Sequence, residues 1–135
     1  MGSILLVEAD PTICEQWTGV LSAMGHAVQA VTTTREALPA VRDGGIDCVV
    51  LDAYDPRIGV VEFARAIEAL PDAPPLILVS GSPNAPEISA RIGAVAFLPA
   101  PAEPSEIANA VARVVNNVRI RALEDEPTSP NHTLG

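Results

Sequence analysis

The stretch that decides the fold is SILLVEADP, residues 3–11. Ser3 to Val7 form an almost unbroken aliphatic run, which is typical of a parallel strand buried on both faces. Apolar residues from Ile13 to Met24 then recur at the spacing of one helix face, and the pattern ends near Gly25. A buried strand followed directly by an amphipathic helix indicates the first βα unit of an α/β fold.

The same alternation recurs along the rest of the chain. Four further short apolar runs are Ala27–Val31, Cys48–Leu51, Leu76–Val79 and Val95–Leu98. Helical patterns follow these runs: a Thr33-x-x-Glu36 capping box, apolar stripes over Val60–Ile67 and Ile107–Val118, and a shorter stripe over Glu87–Ile92. Five βα units predict a five-stranded parallel sheet in a three-layer α/β sandwich, because right-handed crossovers place helices on both faces. We expect one domain over residues 1–120 and a flexible acidic tail over 121–135.

Composition excludes several kinds of function. The eight basic residues are all arginine, and against seventeen acidic residues they leave a net charge of −9. Without lysine the chain has neither a Walker-type phosphate loop nor a Schiff-base nucleophile. An acidic surface repels phosphate backbones and anionic lipid, so we expect no nucleic acid and no membrane as partners. No secretory signal or long apolar run is present, and the expected location is cytoplasmic. Cys14 and Cys48 are predicted to be buried free thiols.

Candidate functional residues cluster after the predicted strands. Ligands of an open parallel sheet bind at the carboxyl ends of its strands. Glu8 and Asp10 follow the first run, and Asp52 follows the third. If those two strands are neighbours, the three carboxylates converge, and such a group needs a cation or a proton to coexist. The alternative, that all three are solvated loop carboxylates, stays open at this point.

Four fragments carry a resemblance to a known family. They are ILLVEADP (residues 4–11), VVLD (49–52) with Pro56, LVSG (78–81) and FLPAP (97–101). In this order, within a fivefold βα repeat, they resemble the landmarks of a response-regulator receiver domain over about Ser3 to Val118. The resemblance implies a flavodoxin-like sheet with strand order 2-1-3-4-5.

The resemblance also implies a role for each matching position. Asp52 occupies the phosphoacceptor position, Ser80 the hydroxyl position and Phe97 the aromatic switch position. Glu8, Asp52 and the backbone carbonyl of Tyr54 would be the remaining ligands of Mg²⁺. Two usual residues are missing, because Ala9 stands where a second acidic ligand is usual and Ala100 where a lysine is usual. We therefore expect Mg²⁺ binding to be weakened, with Asp10 as an alternative ligand.

These losses lead to a main hypothesis and two alternatives. The main one is a stand-alone receiver-like signalling module that acts through protein–protein interaction, with impaired or absent phosphorylation of Asp52. The partner would be a histidine kinase or a downstream signalling protein, and the module a monomer or weak homodimer. The first alternative is a phosphorylation-dependent receiver in a two-component phosphorelay. The second, a flavodoxin-like flavin- or nucleotide-binding protein or enzyme, is less favoured, since carboxylates stand where a phosphate cradle is needed.

Some further residues carry structural expectations. Trp17 lies in the apolar stripe of the first helix and is predicted to be in the core. His26 follows that helix and is predicted to be exposed. Tyr54 follows the acidic site in a loop and is placed to cover it. The resemblance implies a partner surface formed by the fourth helix, the fifth strand and the fifth helix, where residues 99–102 place apolar atoms. It also makes the bond between Ala100 and Pro101 a candidate cis peptide.

Overall fold

The computed structural model describes residues 2–124, without the side chains of Arg119, Arg121, Ala122 and Glu124. Five strands alternate with five helices. The strands are β1 (Ser3–Val7), β2 (Ala27–Val31), β3 (Cys48–Asp52), β4 (Leu76–Ser80) and β5 (Ala96–Pro99). The helices are α1 (Pro11–Ala23), α2 (Thr34–Arg42), α3 (Val60–Glu68), α4 (Ala85–Arg91) and α5 (Pro104–Glu124).

All strand pairs are parallel, and the sheet order is β2-β1-β3-β4-β5. The predicted fold class and strand order are confirmed. Strands β3, β4 and β5 each continue one residue past the last aliphatic side chain of the sequence pattern, and β5 also begins one residue later, at Ala96. The fourth helix begins at Ala85, two residues before the predicted Glu87, because Pro86 is compatible with the first turn of a helix.

Alternate side chains of the central strands fill two separate cores. On one face Ile4 and Leu6 pack with Trp17 of α1 and Val111 of α5. On the other face Leu5 packs against α2 and α3. The central strands β1, β3 and β4 are buried almost throughout, so polar side chains near them are confined to their ends. This arrangement positions the site at the carboxyl edge of the sheet.

The structure confirms some local predictions and corrects one. Trp17 is in the core, and Thr33 caps α2 by accepting a hydrogen bond from the Glu36 N–H at 3.1 Å. The bond between Ala100 and Pro101 is cis, as predicted. His26 was predicted to be exposed, and this was wrong, because only 8% of its surface is accessible. The residue before β1 packs over it, and the Gly2 N–H donates to His26 Nδ1 at 3.0 Å.

The ends of the chain and its thiols complete the description. Helix α5 continues to Glu124, so the first four residues of the predicted tail are helical; the remainder, 125–135, lies outside the described residues. Both cysteines are free, as predicted, and Cys48 is fully buried. Cys14 was also predicted to be buried, and this was wrong, because its side chain is partly exposed. Within residues 2–124, none of the helices combines the length and the apolar character needed to cross a membrane.

Candidate functional site

The site is built where β1 and β3 end side by side. Val7 and Leu51 are paired in the sheet, so the residues that follow them, Glu8 and Asp52, emerge together at the carboxyl edge. Glu8 is 4% exposed, and Asp52 is half-buried. The structure therefore brings together two of the three carboxylates that the sequence suggested would converge.

Glu8 is a buried acid with an incomplete set of partners. Its Oε1 accepts a hydrogen bond from the Asp10 N–H at 2.9 Å, whereas no donor among the described residues reaches its Oε2. The Asp52 carboxyl lies beside Glu8, and two neighbouring carboxyl groups repel each other unless one of them holds a proton. Burial, followed by the Asp52 carboxyl, raises the pKa of Glu8 to about 8. The two side chains thus form an acidic pair that holds a proton near neutral pH.

Asp10 does not join this pair. Its exposed carboxylate caps α1 by accepting hydrogen bonds from the N–H groups of Thr12 at 2.8 Å and Ile13 at 3.2 Å. An aspartate at this position satisfies backbone donors that the helix leaves unpaired. The alternative in which Asp10 replaces a missing ligand therefore requires the loss of this cap.

The loop between β3 and α3 is held by its own ion pair. Arg57 and Asp55 form two side-chain hydrogen bonds of 3.0 Å each, and this contact lowers the pKa of Asp55. Gly59 ends the loop with φ of +77°, a conformation that L side chains rarely adopt. Tyr54 was placed over the acidic site by the sequence interpretation, and this was wrong. Its side chain is 97% exposed.

Two further strand ends complete the carboxyl edge. Ser80, at the end of β4, is 1% exposed, and its Oγ accepts a hydrogen bond from the Ser82 N–H at 3.2 Å. The Ala100 N–H donates to the Ser80 carbonyl at 3.1 Å, which holds the segment after β5 against the end of β4. Only a methyl group projects from Ala100. Phe97 is partly buried against the core on the α2 and α3 side of the sheet.

The side chains at this edge offer a divalent metal few ligands. Mg²⁺ takes about six oxygen ligands in near-octahedral geometry, and it usually combines one or two carboxylates with several waters. Ala9 supplies no side-chain oxygen, and Asp10 is used as a helix cap. Among the residues that the structure describes, no group of three or more His, Cys, Asp or Glu side chains is arranged to hold a metal ion.

Comparison with known proteins decides the family. The family model for the response regulator receiver domain matches residues 4–112, which include β1 except for Ser3, all of β2 to β5, and the first part of α5. This chain belongs to the response regulator receiver domain family. Receiver domains typically bind Mg²⁺ at their phosphorylation site.

Relatives and solved structures agree with this assignment. The chain is 30% identical over 126 residues to the DNA-binding response regulator MtrA of Mycolicibacterium smegmatis, which covers 92% of the chain and 53% of MtrA. It is 29% identical over 133 residues to the transcriptional regulatory protein YvrH of Bacillus subtilis, covering 97% and 54%. The receiver domain of a signal transduction histidine kinase from Syntrophus aciditrophicus superimposes with a TM-score of 0.76 at 27% identity, covering 87% and 92%. The chain spans about half the length of the curated relatives it matches.

Sequence reasoning missed two features of the site. The first is the depth at which Glu8 is buried, although its position directly after an unbroken apolar strand was a signal for this. The second is a groove between α1 and β2 that ends at Glu8, with a volume of about 600 Å³. The small residues that line this groove come from separate segments of the sequence, and such residues do not by themselves indicate a cavity.

Proposed function

We propose that this receiver domain is a protein-binding signalling module in which transfer of a phosphoryl group to Asp52 is strongly impaired. The observation that carries the proposal is that neither ion pair in the described part of the chain brings a positive side chain to Glu8 or Asp52. Ala9 and Ala100 replace the acidic ligand and the lysine that the family pattern places there, and the nearby Arg57 is paired with Asp55. A partner protein then selects the conformation that an aspartyl phosphate selects in other receivers.

The size of the impairment follows from the chemistry of phosphoryl transfer. The protein contributes mainly positioning and neutralisation of the charge that spreads over the phosphoryl oxygens. Loss of one such electrostatic contact slows a reaction by about 10² to 10³, so loss of two predicts a decrease of roughly four orders of magnitude or more. The same two carboxyl groups would also repel the incoming phosphoryl group, since Asp52 and Glu8 offer no counter-charge of their own.

A second candidate is a phosphorylation-dependent receiver in a two-component phosphorelay, and the comparisons favour it. The matching family and the named relatives are response regulators, and Asp52, Ser80 and Phe97 retain the expected residue types at their positions. Asp52 would then be phosphorylated slowly, because the negative charge of the phosphoryl group is only partly neutralised. In either case the partner is a histidine kinase or a downstream signalling protein. In either case the domain acts as a signalling protein, and no enzymatic activity is proposed for it.

One experiment separates the two candidates. The chain is incubated with acetyl phosphate and Mg²⁺, and phosphorylation is followed by intact mass beside the variant Asp52→Asn. A matched variant carries Ala9→Asp and Ala100→Lys, which restore both missing groups. The main proposal predicts no added phosphoryl mass in the wild type and a clear mass gain in the double variant. Rapid labelling of the wild type that disappears in Asp52→Asn would establish the second candidate instead.

A further inference from the structure

Strand β2 forms an open edge of the sheet. It pairs with β1 alone, in parallel, so one side of its backbone has no neighbouring strand. The Ala27 N–H donates to the Gly2 carbonyl at 2.9 Å, which fixes the side of the strand that faces β1. Backbone direction alternates along a strand, so the N–H and C=O groups of Val28 and Ala30 point away from β1. Among the hydrogen bonds of the described residues, none uses these four groups.

Strand β2 carries none of the usual devices that protect such an edge. Its five residues, AVQAV, include no charge and no proline, and two of them are β-branched. Natural sheets commonly guard exposed edges with charged side chains, proline or very short strands. The opposite edge of this sheet follows that rule, since β5 has four residues, ends at Pro99 and is followed closely by Pro101. The β2 edge is therefore open to the addition of a strand.

The α1–β2 groove beside this edge has room for a side chain of an added strand. The side chains of Val28 and Ala30 lie on the face of the sheet that α1 covers. Ala30 forms one wall of the groove, and the small residues Cys14, Thr18 and Gly19 of α1 form the other. A residue opposite Ala30 on an added strand has its side chain on the same face of the sheet, so this side chain enters the groove.

Charge favours a basic segment as the occupant of this edge. The chain has a net charge of −9, and the exposed carboxylate of Glu15 lies along the groove. Glu15 is one turn nearer the start of α1 than Gly19, at the end of the groove where Thr32 follows β2. A second copy of the chain would bring the same net charge and a second Glu15 to this edge, whereas a basic segment is attracted to it.

We propose that a strand of a partner protein extends the sheet at β2, runs antiparallel to it, and carries a basic residue followed two and four positions later by apolar residues. The basic residue lies near Thr32 and beside Glu15. The two apolar residues lie opposite Ala30 and Val28, and each exchanges two backbone hydrogen bonds with the residue it faces. This inference rests on the proposed protein-binding function and names the chemistry of the partner segment.

The test uses a capped peptide of this pattern, acetyl-Thr-Arg-Thr-Val-Thr-Val-Thr-amide, in place of the partner. The peptide is titrated into the ¹⁵N-labelled full chain, and amide shifts and the exchange of amide protons with water are recorded. We expect saturable shifts at Cys14 and Gly19, and about tenfold slower exchange of the Val28 and Ala30 N–H groups at about 90% occupancy. The Gln29 N–H faces β1, so its exchange should change little.

Modified peptides test the register of the added strand. N-methylation of the first valine removes the donor to the Ala30 carbonyl and should weaken binding about tenfold. N-methylation of the threonine between the two valines is the matched control, because that N–H points away from β2, and binding should stay unchanged. Replacing arginine by citrulline keeps the shape without the charge and should weaken binding about twofold to fivefold, as expected for an exposed ion pair.

Three variants of the chain connect binding to the groove. Gly19→Leu fills the groove without a clash at its root, because an added Cβ meets no atom within 4 Å, and it should weaken binding by at least about tenfold. Gln16→Leu is the matched control, since it adds the same side chain at an exposed position of α1 that does not line the groove, and it should bind like the wild type. Glu15→Gln should bind the arginine and citrulline peptides equally.

Several results would overturn the proposal. They are the lack of saturable binding, binding without slower exchange at Val28 and Ala30, equal binding of the two N-methylated peptides, and full binding by Gly19→Leu. Slower exchange of the same two amides when the chain is concentrated without peptide would assign the edge to a second copy instead. Labelling of Asp52 by acetyl phosphate would refute the proposed function and leave all these peptide measurements as they stand, so the two failures are distinguishable.

Discussion

Replacing Glu8 by glutamine should remove most of the pH dependence of stability between pH 5 and pH 8. In the unfolded chain Glu8 ionises near its ordinary pKa of 4.5, whereas burial beside Asp52 raises the pKa in the folded state to about 8. The folded state therefore holds one more proton than the unfolded state across this interval. The stability that Glu8 contributes is fully present below pH about 4.5 and is lost once the pH has risen through about 8.

The magnitude follows from the same linkage. Stability falls by at most about 1.4 kcal/mol per pH unit while one proton separates the two states, which amounts to roughly 5 kcal/mol over the whole interval. The free energy of unfolding is measured by urea titration at several pH values between about 5.5 and 8.5, with the fluorescence of the buried Trp17 as the signal.

Two variants bracket the result. Glu8→Gln keeps the size of the side chain and its acceptor for the Asp10 N–H, so it should flatten the curve and be more stable than the wild type near pH 8. Glu15→Gln removes an exposed carboxylate of α1 and should leave the slope unchanged. If wild type and Glu8→Gln lose stability in parallel as the pH rises, the account of the acidic pair is refuted.

Three further outcomes follow from local structure. Asp10→Ala should lower the free energy of unfolding by about 1 kcal/mol because α1 loses its cap. Asp10→Asn keeps a capping oxygen and should be about as stable as the wild type. A destabilised Asn variant would show that the charge of Asp10, and not the cap, stabilises the protein. Gly19→Ala should raise the melting temperature, since the added methyl meets no atom within 4 Å and improves helix propensity by up to about 1 kcal/mol, and a lower melting temperature would contradict this. Iodoacetamide at pH about 8 should label the partly exposed Cys14 in the native protein and leave Cys48 unlabelled, because burial raises the pKa of that thiol to about 12; equal labelling would contradict its burial.

The fold was predictable because its signals are local and repeated. The run from Ser3 to Val7 is apolar on both strand faces, and an amphipathic helical pattern follows it directly. A sequence window of about 25 residues is therefore enough to predict a βα unit. The parallel arrangement then follows from the handedness of the crossovers. Glu8 and Asp52 lie close together because β1 and β3, which they follow and end, are adjacent in the sheet.

Side-chain environments were harder to predict because they depend on contacts between distant segments. His26 was placed at the surface since it follows a helix, yet the residue before β1 covers it and donates to its ring. Tyr54 was expected to cover the acidic site because it follows Asp52 in the loop, but its side chain is 97% exposed. Asp10 shares strand parity with Glu8, and the stronger local preference for an N-cap decides its direction. The burial of His26 and the exposure of Tyr54 depend on the folded surroundings, whereas the cap at Asp10 is a local feature of the sequence.

The central claim concerns charge at Asp52, and the binding of a phosphoryl mimic tests it most directly. Beryllofluoride and Mg²⁺ are added together to the wild type and to the variant carrying Ala9→Asp and Ala100→Lys, and their occupancy at Asp52 is determined in crystals of each. The account predicts an unmodified Asp52 in the wild type and both groups bound in the variant. Beryllofluoride seated on Asp52 of the wild type, with Mg²⁺ in octahedral coordination beside it, would contradict the account.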